Sequence, residues 1–403
     1  MQYGSGGKRL AEVYLDNSAT TRVWPEVPQL MESVYRDQYG NPSSLHKRGV
    51  VAEKVLDTSR QELAAAVGCH PHELFFTSGG TEANNWAVFG LAGVRKPRGK
   101  RIITTAVEHP SILVPLDVLA ERGFEVIRLP VDWRGELEAS RLAAALTPDT
   151  VLVTIMAVNN EVGAVQDWAA LSPLVRERAP HAAVHVDAVQ ALAKLPLLCL
   201  EQADTVSFSA HKLHGPQGVG ALYVREGTRI QPLIFGGEQE RKLRAGTENV
   251  AGVAGFALAV RLCRERGQEL MQLLHELYQG LSDIPGFGCN GPTPGAGAPH
   301  ILNAYFEGIP RGEVLVHALA SRGVYVSTGS ACHSRRSRPS HVLSAMHRSG
   351  DALTGAVRFS LGAATTREEI RQAVAATAEA VAELRLHSGK GSRSGAAGYG
   401  ALR

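Results

Sequence analysis

The chain has 403 residues, more than one hydrophobic core usually serves, so its length predicts a large domain and a smaller one. Its composition, with 44% hydrophobic and 20% charged residues, is that of a folded protein and excludes general disorder. The formal net charge of +3 is weak and four basic residues lie from Arg385 onward, so the nearly neutral body gives no indication of direct nucleic-acid binding.

Signals for membrane insertion, secretion and disulfide bonding are missing from the sequence. No apolar run approaches the roughly 18 to 20 residues that span a bilayer, and the N-terminus lacks the apolar core of a signal peptide. We therefore expect a cytoplasmic protein without membrane contact. The five cysteines are odd in number and form no CxxC pair, so they predict neither a disulfide framework nor a metal site.

The first half of the chain has the pattern of an α/β protein. Between residues 47 and 67 an apolar face predicts a helix that ends at Gly68, and this face is formed by Val51, Val55, Leu63 and Val67. From about residue 50 to 225, helical periods alternate with short β-rich runs, which predicts βαβ units around a mostly parallel sheet. The runs are ELFFTSG, RIITTAV, FEVIRLPV, VLVTIMAV, AAVHVDAV, TVSFSAHK and GVGALYVRE.

The second half predicts a smaller α/β unit. A helical stretch from about 250 to 280 has few helix breakers and marks the change of domain, and the segment GFGCNGPTPGAGAP then predicts a loop. Strands are predicted in HILNAYFEG, GVYVSTGS and GAVRFSLG. Thr366 and Glu369 have the spacing of a capping box before a helix whose apolar face is Ile370, Val374, Val381 and Leu384. The Gly/Ser/Ala-rich tail from Ser388 is predicted to be disordered.

Lys212 is the first candidate functional residue. The segment SFSAHKLHGPQGVGALYV places Ser209, His211 and Lys212 in the turn after a predicted strand. A lone lysine in a turn is usually a solvated charge. Strand ends of an open α/β sheet, however, are where ligands collect, and an amine there can form a Schiff base with an aldehyde cofactor.

Two further motifs fit such a cofactor. HVDAVQ places Asp187 at the end of another β run, where a carboxylate is either a surface or capping group or the partner of a bound ligand. With Lys212 it forms the pair that pyridoxal phosphate requires, because a carboxylate at the pyridinium nitrogen keeps the ring protonated. FTSGGTEANNWAV predicts a strand, a glycine turn and a helix from about Glu82, whose first N–H groups could hold a phosphate.

These segments resemble the cysteine desulfurases of the class V aminotransferase family, within the fold-type I pyridoxal-phosphate enzymes. The resemblance extends over nearly the whole chain, and ten segments occur in the family's order at closely similar spacing. They are YLDNSATT, YGNPSSLH, TSGGTE, VEHPS, VNNEVG, HVDAVQ, SAHK, RAGTEN, STGSAC and RFSLG. The resemblance implies an α/β fold with a mostly parallel seven-stranded sheet in the large domain and a smaller α/β domain beside it.

The resemblance also implies how the chain divides and assembles. The large cofactor-binding domain would comprise residues 22–264, and the smaller domain would combine residues 1–21 with 265–387 and carry Cys332. Residues 388–403 would form a flexible tail. The family relation further implies a homodimer.

The resemblance gives roles to the matching positions around the cofactor. Lys212 would bind it as a Schiff base and move the substrate Cα proton, while His109 would stack on the pyridine ring. Asp187 would hold the ring nitrogen, and Gln190 the phenolic oxygen. The phosphate would be bound by Gly80, Thr81, Ser209, His211 and, from the other subunit, Thr247.

The remaining implied roles concern the substrate and the sulfur. Asn160, beside the cofactor, and Arg358 would hold the substrate, with Arg358 binding its carboxylate. Cys332 would take sulfur from L-cysteine as a persulfide, release L-alanine, and pass the sulfur to an iron–sulfur scaffold or a tRNA-thiolation enzyme. The basic residues near Cys332 favour the nucleophilic thiolate; they are Arg335, Arg336 and Arg338.

Other interpretations remain open at this point. The segment Ala-Cys-His-Ser, with His333, is reminiscent of selenocysteine lyases in the same family. An aminotransferase would share Lys212 and Asp187 but give Cys332 no role, and a scaffold without catalysis would need none of these residues. Without the family match, His109 would be an ordinary loop histidine and Arg358 an exposed ion-pair partner.

Overall fold

The structure is a computed structural model that describes residues 12–196, 200, 202–267, 269–329 and 339–391. The predictions for Cys332 and for residues 392–403 concern positions outside the described residues. The part up to residue 224 contains β1 (Val13–Tyr14), α1 (Glu26–Asp37), α2 (Lys47–Val67), β2 (Leu74–Thr77), α3 (Gly80–Arg95), β3 (Arg101–Thr105), α4 (Pro110–Glu121), β4 (Glu125–Leu129), α5 (Ala139–Ala145), β5 (Thr150–Thr154), α6 (Trp168–Arg178), β6 (Ala183–Asp187), β7 (Thr205–Ser209) and β8 (Gly220–Val224). The part from residue 250 contains α7 (Val250–Arg266), α8 (Leu270–Ser282), β9 (Phe287–Asn290), β10 (Ile301–Phe306), α9 (Gly312–Ala320), β11 (Val324–Tyr325), α10 (His341–Ala345), α11 (Asp351–Thr354), β12 (Val357–Ser360) and α12 (Arg367–Gly391).

The predicted mostly parallel seven-stranded sheet is confirmed. Its strand order is β2-β8-β7-β6-β5-β3-β4. The five strands from β7 to β4 run parallel, whereas β8 runs antiparallel to both β2 and β7. Strands β5, β6 and β7 are buried along their whole length, as expected when helices cover both faces of a parallel sheet.

A smaller sheet follows, with three antiparallel strands in the order β12-β10-β9. β1 pairs in parallel with β11, which joins the N-terminal segment to the C-terminal part. Two hydrophobic clusters pack against the large sheet, and a third packs Val13 and Leu15 with α8, α12 and Phe306. This packing supports grouping the first residues with the smaller domain, although the exact boundaries stay a prediction.

The predicted loop GFGCNGPTPGAGAP begins with a strand, so that prediction was wrong for its first residues. β9 pairs with β10 and places Gly288 opposite Tyr305. A Cβ on Gly288 would lie 2.2 Å from Tyr305 Cζ, so the glycine makes room for the tyrosine ring. Pairing and packing with β10 therefore override the weak strand propensity of glycine.

Helix α2 has the bounds predicted from the sequence, and Gly68 ends it with a left-handed φ of 91°. Leu63 and Val67 are buried, as the predicted apolar face requires. Val51 and Val55 are half-buried instead, because they border a groove of about 400 Å³ between α1, α2 and α7.

Three helix boundaries differ from the predictions. The stretch from 250 to 280 is two helices, since α7 ends before Gly267. α3 begins at Gly80 rather than Glu82. α12 continues to Gly391, so the first residues of the tail that was predicted to be disordered from Ser388 are helical. None of the helices within the described ranges is both long and apolar enough to cross a membrane.

The capping box predicted at the start of α12 is confirmed. Thr366 N–H donates to Glu369 Oε2 at 2.7 Å, and Glu369 N–H donates to Thr366 Oγ1 at 3.3 Å. Two helix-start N–H groups are thereby satisfied, which fixes the point at which the last helix leaves the smaller sheet.

A turn after β8 contains three consecutive left-handed residues, none of them glycine. The φ angles of Glu240, Arg241 and Lys242 are 44°, 57° and 69°, and such residues cost roughly 1–2 kcal/mol each. The buried Glu240 carboxylate stabilises the turn, because it accepts hydrogen bonds from Arg60 at 2.6 and 3.0 Å and from Phe76 N–H at 3.0 Å.

Lys242→Gly is expected to exceed Lys242→Ala in stability by about 1 kcal/mol, because glycine adopts this conformation without the steric cost that alanine retains. Both variants lose the same exposed ion pair with Glu238, so alanine is the matched control. Thermal unfolding of the two proteins measures the difference. If the unfolding temperature of the glycine variant is not higher than that of the alanine variant, the backbone of Lys242 is not strained as proposed.

Candidate active site

A cavity of about 510 Å³ opens at the carboxyl ends of β6 and β7 and at the start of α3. Ligands collect at this edge of open α/β sheets. Nine residues predicted from the sequence line it: Gly80, Thr81, His109, Asn160, Asp187, Gln190, Ser209, His211 and Lys212. Arg358 and Thr247 lie outside the cavity wall, and Cys332 lies outside the described residues.

One end of the cavity has the features of an anion site. α3 begins there without a side-chain cap, so its first N–H groups and its dipole favour a negative ligand. A Cβ on Gly80 would lie 2.7 Å from Val189 Cγ2, which explains a glycine at this position. The Ser209 hydroxyl is buried and has no hydrogen-bond partner among the described residues. A phosphate at this end would satisfy both the hydroxyl and the N–H groups.

Lys212 lies in the short turn Ala210–Lys212, directly after β7. Its Nζ donates hydrogen bonds to the backbone carbonyls of Ser18 and Ala19, each at 2.7 Å. The segment YLDNSATT therefore positions the amine. This role could not be predicted from the residue types, because backbone carbonyls are common to all residues. A lysine held at a cavity wall is suited to bind an aldehyde once it gives up a proton.

The carboxylate of Asp187 is fixed from two sides. Val189 N–H donates to Oδ1 at 3.0 Å, and Asn84 Nδ2 donates to Oδ2 at 2.7 Å. Asn84 Oδ1 in turn lies 3.1 Å from His185 Nε2, and His185 Nδ1 lies 2.9 Å from Thr205 Oγ1. Since Asn84 Oδ1 can only accept, His185 carries its proton on Nε2. Burial lowers the pKa of His185 to about 3, so the ring is neutral.

His109 is the N-cap of α4, and the cap fixes its protonation. Nδ1 accepts a hydrogen bond from Ser111 N–H at 3.1 Å and lies 2.8 Å from Ser111 Oγ. Since Nδ1 faces a backbone donor, the ring proton lies on Nε2. Burial lowers the pKa of His109, so a neutral imidazole lines the cavity.

Asn84 and Ser111 belong to the site, but the sequence motifs did not identify them as candidate functional residues. Ser111 Oγ accepts a hydrogen bond from Asn84 Nδ2 at 2.8 Å, which links His109 to Asp187 through two buried side chains. Asn84 lies one helical turn after Gly80, so the two residues share a face of α3. The four-residue spacing from Gly80 is the sequence signal that could have identified Asn84 as a site residue.

Asn84→Ala is expected to cost about 2–4 kcal/mol of unfolding free energy, because it leaves buried Asp187 and His185 each short of a partner. Asn85→Ala is the matched control, since Asn85 is half-exposed and donates to the carbonyls of Thr81 and Ser111. Urea denaturation measures both. Equal losses in the two variants would contradict the role given to Asn84.

Arg358 is buried. When the family resemblance is set aside, an arginine on a strand is expected to be an exposed ion-pair partner, and that expectation was wrong for its exposure. Its side chain is 2% accessible and pairs with Asp16, with Nη2 2.7 Å from Oδ1. Nη1 donates to the carbonyl of Asn160 at 2.9 Å, so Arg358 lies directly behind a residue of the cavity wall. Thr247, by contrast, is exposed on this chain.

Gly329 and Ser340, the residues on either side of Cys332 for which the structure gives contacts, lie close to Arg358 and Glu161. The carbonyl of Gly329 accepts a hydrogen bond from Arg358 Nη1 at 3.4 Å. Ser340 Oγ donates to Glu161 Oε2 at 2.5 Å and accepts from Leu343 N–H at 3.1 Å as the cap of α10. The described residues before and after Cys332 therefore lie on the Arg358 side of the cavity.

Comparison with known proteins decides the family. The model of the family Aminotransferase class-V matches residues 13–373. The chain belongs to the class V aminotransferase family. The resemblance inferred from the ten sequence segments is thereby confirmed.

Relatives within the class V aminotransferase family match the chain over nearly its full length. Cysteine desulfurase IscS of Methanosarcina thermophila is 40% identical over 378 residues, 93% of each protein. Putative cysteine desulfurase IscS 1 of Bacillus subtilis (strain 168) is 40% identical over 386 residues, 93% of this chain and 100% of that protein. A solved NifS-like protein has a TM-score of 0.86 at 39% identity, over 92% of this chain and 100% of that one. The structure of SspA in complex with cysteine has a TM-score of 0.77 at 31% identity, over 88% and 99%.

Proposed function

We propose that this protein is a cysteine desulfurase that uses pyridoxal phosphate bound at Lys212 to remove sulfur from L-cysteine and release L-alanine. The observation that carries the proposal is a single cavity that joins an amine, a fixed carboxylate and an anion site. The full-length relatives named cysteine desulfurases support the reaction, and the solved complex of a relative with cysteine supports the substrate.

The residues of the cavity fit the cofactor group by group. The start of α3 and Ser209 suit its phosphate, and Asp187 suits a protonated ring nitrogen because two donors hold the carboxylate in place. The neutral ring of His109 suits stacking on the pyridine face. When bound, pyridoxal phosphate supplies an electron sink for charge that develops at the substrate Cα. Thr81 and His211 also line the cavity and would bind the phosphate, and Thr247, exposed on this chain, would complete that site from the second subunit of a homodimer.

The substrate is held by Asn160 and Arg358. Arg358 already forms an ion pair with Asp16, so a substrate carboxylate near Asn160 shares the guanidinium or displaces Asp16 from it. Lys212, once released from its covalent role, lies where it can take the Cα proton. The carbonyls of Ser18 and Ala19 receive its ammonium, which stabilises the amine after it has accepted that proton.

Cys332 receives the sulfur. Its thiolate would attack the sulfur of the bound cysteine, so that a sulfur–sulfur bond forms and the bond between Cβ and sulfur breaks. The electron pair of the broken bond would stay with the carbon skeleton, where Cβ takes up a proton to give L-alanine, and the sulfur would remain on Cys332 as a persulfide. An acceptor protein, either an iron–sulfur scaffold or a tRNA-thiolation enzyme, takes the sulfur in the cytoplasm. Gly329 and Ser340, which lie on either side of Cys332 in the sequence, contact Arg358 and Glu161, which supports the approach of Cys332 to the substrate.

Turnover of L-cysteine tests the proposal. We expect equal amounts of L-alanine and of sulfide in the presence of a thiol reductant, and a visible absorption band from the bound cofactor. Parallel assays with L-selenocysteine and with keto acids separate the two related activities. Slow turnover of cysteine beside rapid turnover of selenocysteine would identify a selenocysteine lyase, and amino transfer without alanine from cysteine would identify an aminotransferase.

A further inference from the structure

The side-chain amide of Gln190 is held by two donors that do not line the cavity. Lys194 Nζ donates to Gln190 Oε1 at 3.1 Å, and His300 Nε2 lies 3.3 Å from the same oxygen. On the other side of the amide, Gln190 Nε2 donates to the carbonyl of Ser18 at 3.0 Å. That carbonyl also accepts from Lys212, so the amide adjoins the amine that binds the cofactor.

The Ser18 carbonyl decides which atom of the amide is the oxygen, because it can only accept a hydrogen bond and therefore faces the NH₂ group. A lysine nitrogen has hydrogens to donate when it is an ammonium, and it still has them as an amine. Burial, assisted by the nearby charge of Lys212, lowers the pKa of Lys194 to about 7, so both forms occur near neutral pH and both donate. Burial also lowers the pKa of His300, and its neutral ring, in the tautomer with the proton on Nε2, can donate to the Gln190 oxygen. An amide flipped by 180° would bring its oxygen against the Ser18 carbonyl and turn its NH₂ group toward the Lys194 ammonium, so it would lose both of those hydrogen bonds.

The fixed orientation has a consequence inside the cavity. Gln190 Nε2 has two hydrogens, and the carbonyl of Ser18 takes one of them, which leaves the second for a ligand because Gln190 lines the cavity. On the proposed function, that ligand atom is the phenolic oxygen of pyridoxal phosphate. A flipped amide would instead present its oxygen to that oxygen and repel it.

We propose that Lys194 and His300 are positioning residues that fix the Gln190 amide so that it donates a hydrogen bond to the phenolic oxygen of the bound cofactor. The inference rests on the proposed function. His300 directly precedes β10 of the smaller sheet, whereas Lys194 and Gln190 follow β6 of the large one. The orientation of a group beside the cofactor therefore depends on the contact between the two sheets.

The absorption spectrum of the holoenzyme at fixed pH tests this inference. A donor at the phenolic oxygen favours its deprotonated form, which absorbs in the visible rather than in the near ultraviolet. We expect Gln190→Ala to lower the ratio of the visible to the near-ultraviolet band about fivefold, the equivalent of one hydrogen bond of roughly 1 kcal/mol. The double variant Lys194→Met/His300→Leu, which keeps Gln190, is expected to lower the ratio by a similar factor and to weaken cofactor binding to the apoprotein about fivefold.

Conservative variants separate positioning from a general packing role. Lys194→Arg and His300→Gln each keep an N–H donor, and we expect their ratios to stay within about twofold of the wild type. If the double variant does not fold, the single variant Lys194→Met, which keeps the apolar stem, is tested instead. Its ratio of visible to near-ultraviolet absorption is expected to lie between those of the wild type and Gln190→Ala. A wild-type ratio in the folded Lys194 and His300 variants, or in Gln190→Ala, would overturn the inference. A wild-type protein without any visible band would instead count against the proposed function.

Discussion

Replacing Lys212 with alanine is expected to lower turnover of L-cysteine by at least about 1000-fold, because the same amine binds the cofactor and moves the substrate proton. The carbonyls of Ser18 and Ala19 that accept its hydrogen bonds would then have no amine to hold. Loss of both roles at once makes this the largest effect expected of a single substitution in the cavity. Steady-state release of alanine, measured with saturating pyridoxal phosphate, gives the comparison.

Lys100→Ala is the matched control for Lys212→Ala, since Lys100 is exposed and lies far from the cavity wall in the fold, beside the start of β3. We expect it to keep wild-type turnover. A small primary amine added to the Lys212→Ala protein should restore part of the activity, because it replaces the missing base. Turnover by Lys212→Ala within about tenfold of the wild type would contradict the assignment of both roles.

Cys332→Ala is expected to lower sulfur release from L-cysteine by at least about 100-fold while leaving the cofactor band unchanged. The thiol is the nucleophile that accepts the sulfur, whereas cofactor binding depends on residues elsewhere. Release of sulfide and alanine, measured beside the absorption spectrum, separates the two effects. Mass spectrometry of the wild type after incubation with cysteine should show one added sulfur atom on Cys332 and none on the variant.

The cysteines that the structure describes are the controls for Cys332. Burial raises the pKa of Cys69 to about 12 and the pKa values of Cys263 and Cys289 to about 11. Their thiols stay protonated at neutral pH and are poor nucleophiles. Cys69→Ala and Cys289→Ala should therefore keep turnover, and a persulfide found on either residue would contradict the role of Cys332.

The core of the candidate site could be predicted because its residues follow buried strands. Asp187 ends β6 and Lys212 follows β7 within three residues, and neighbouring parallel strands bring their carboxyl ends together. The glycine turn before α3 was likewise visible as a strand, two glycines and a helix. The seven β-rich runs gave the large sheet for the same reason, since each is a short apolar run between turn residues.

The partners of these residues could not be predicted, because tertiary contacts rather than sequence spacing bring them together. The carbonyls of Ser18 and Ala19 reach Lys212 from almost two hundred positions earlier. His300 reaches Gln190 across the contact between the two sheets. β9 was hidden in a segment rich in glycine and proline, where only the packing of Tyr305 over Gly288 reveals why a strand forms. Backbone groups and small residues of this kind carry no periodic signal.

Reduction of the purified holoenzyme with borohydride, followed by peptide mass spectrometry, tests directly whether Lys212 binds the cofactor as a Schiff base. Among the residues that the structure describes, Lys194 lies beside the cavity through its hydrogen bond to Gln190, and it is the informative competitor because its lowered pKa of about 7 also favours a reactive amine. We expect one pyridoxyl group, fixed on Lys212. A pyridoxyl group on Lys194, or no fixed group on any lysine of a protein that turns over cysteine, would contradict this expectation.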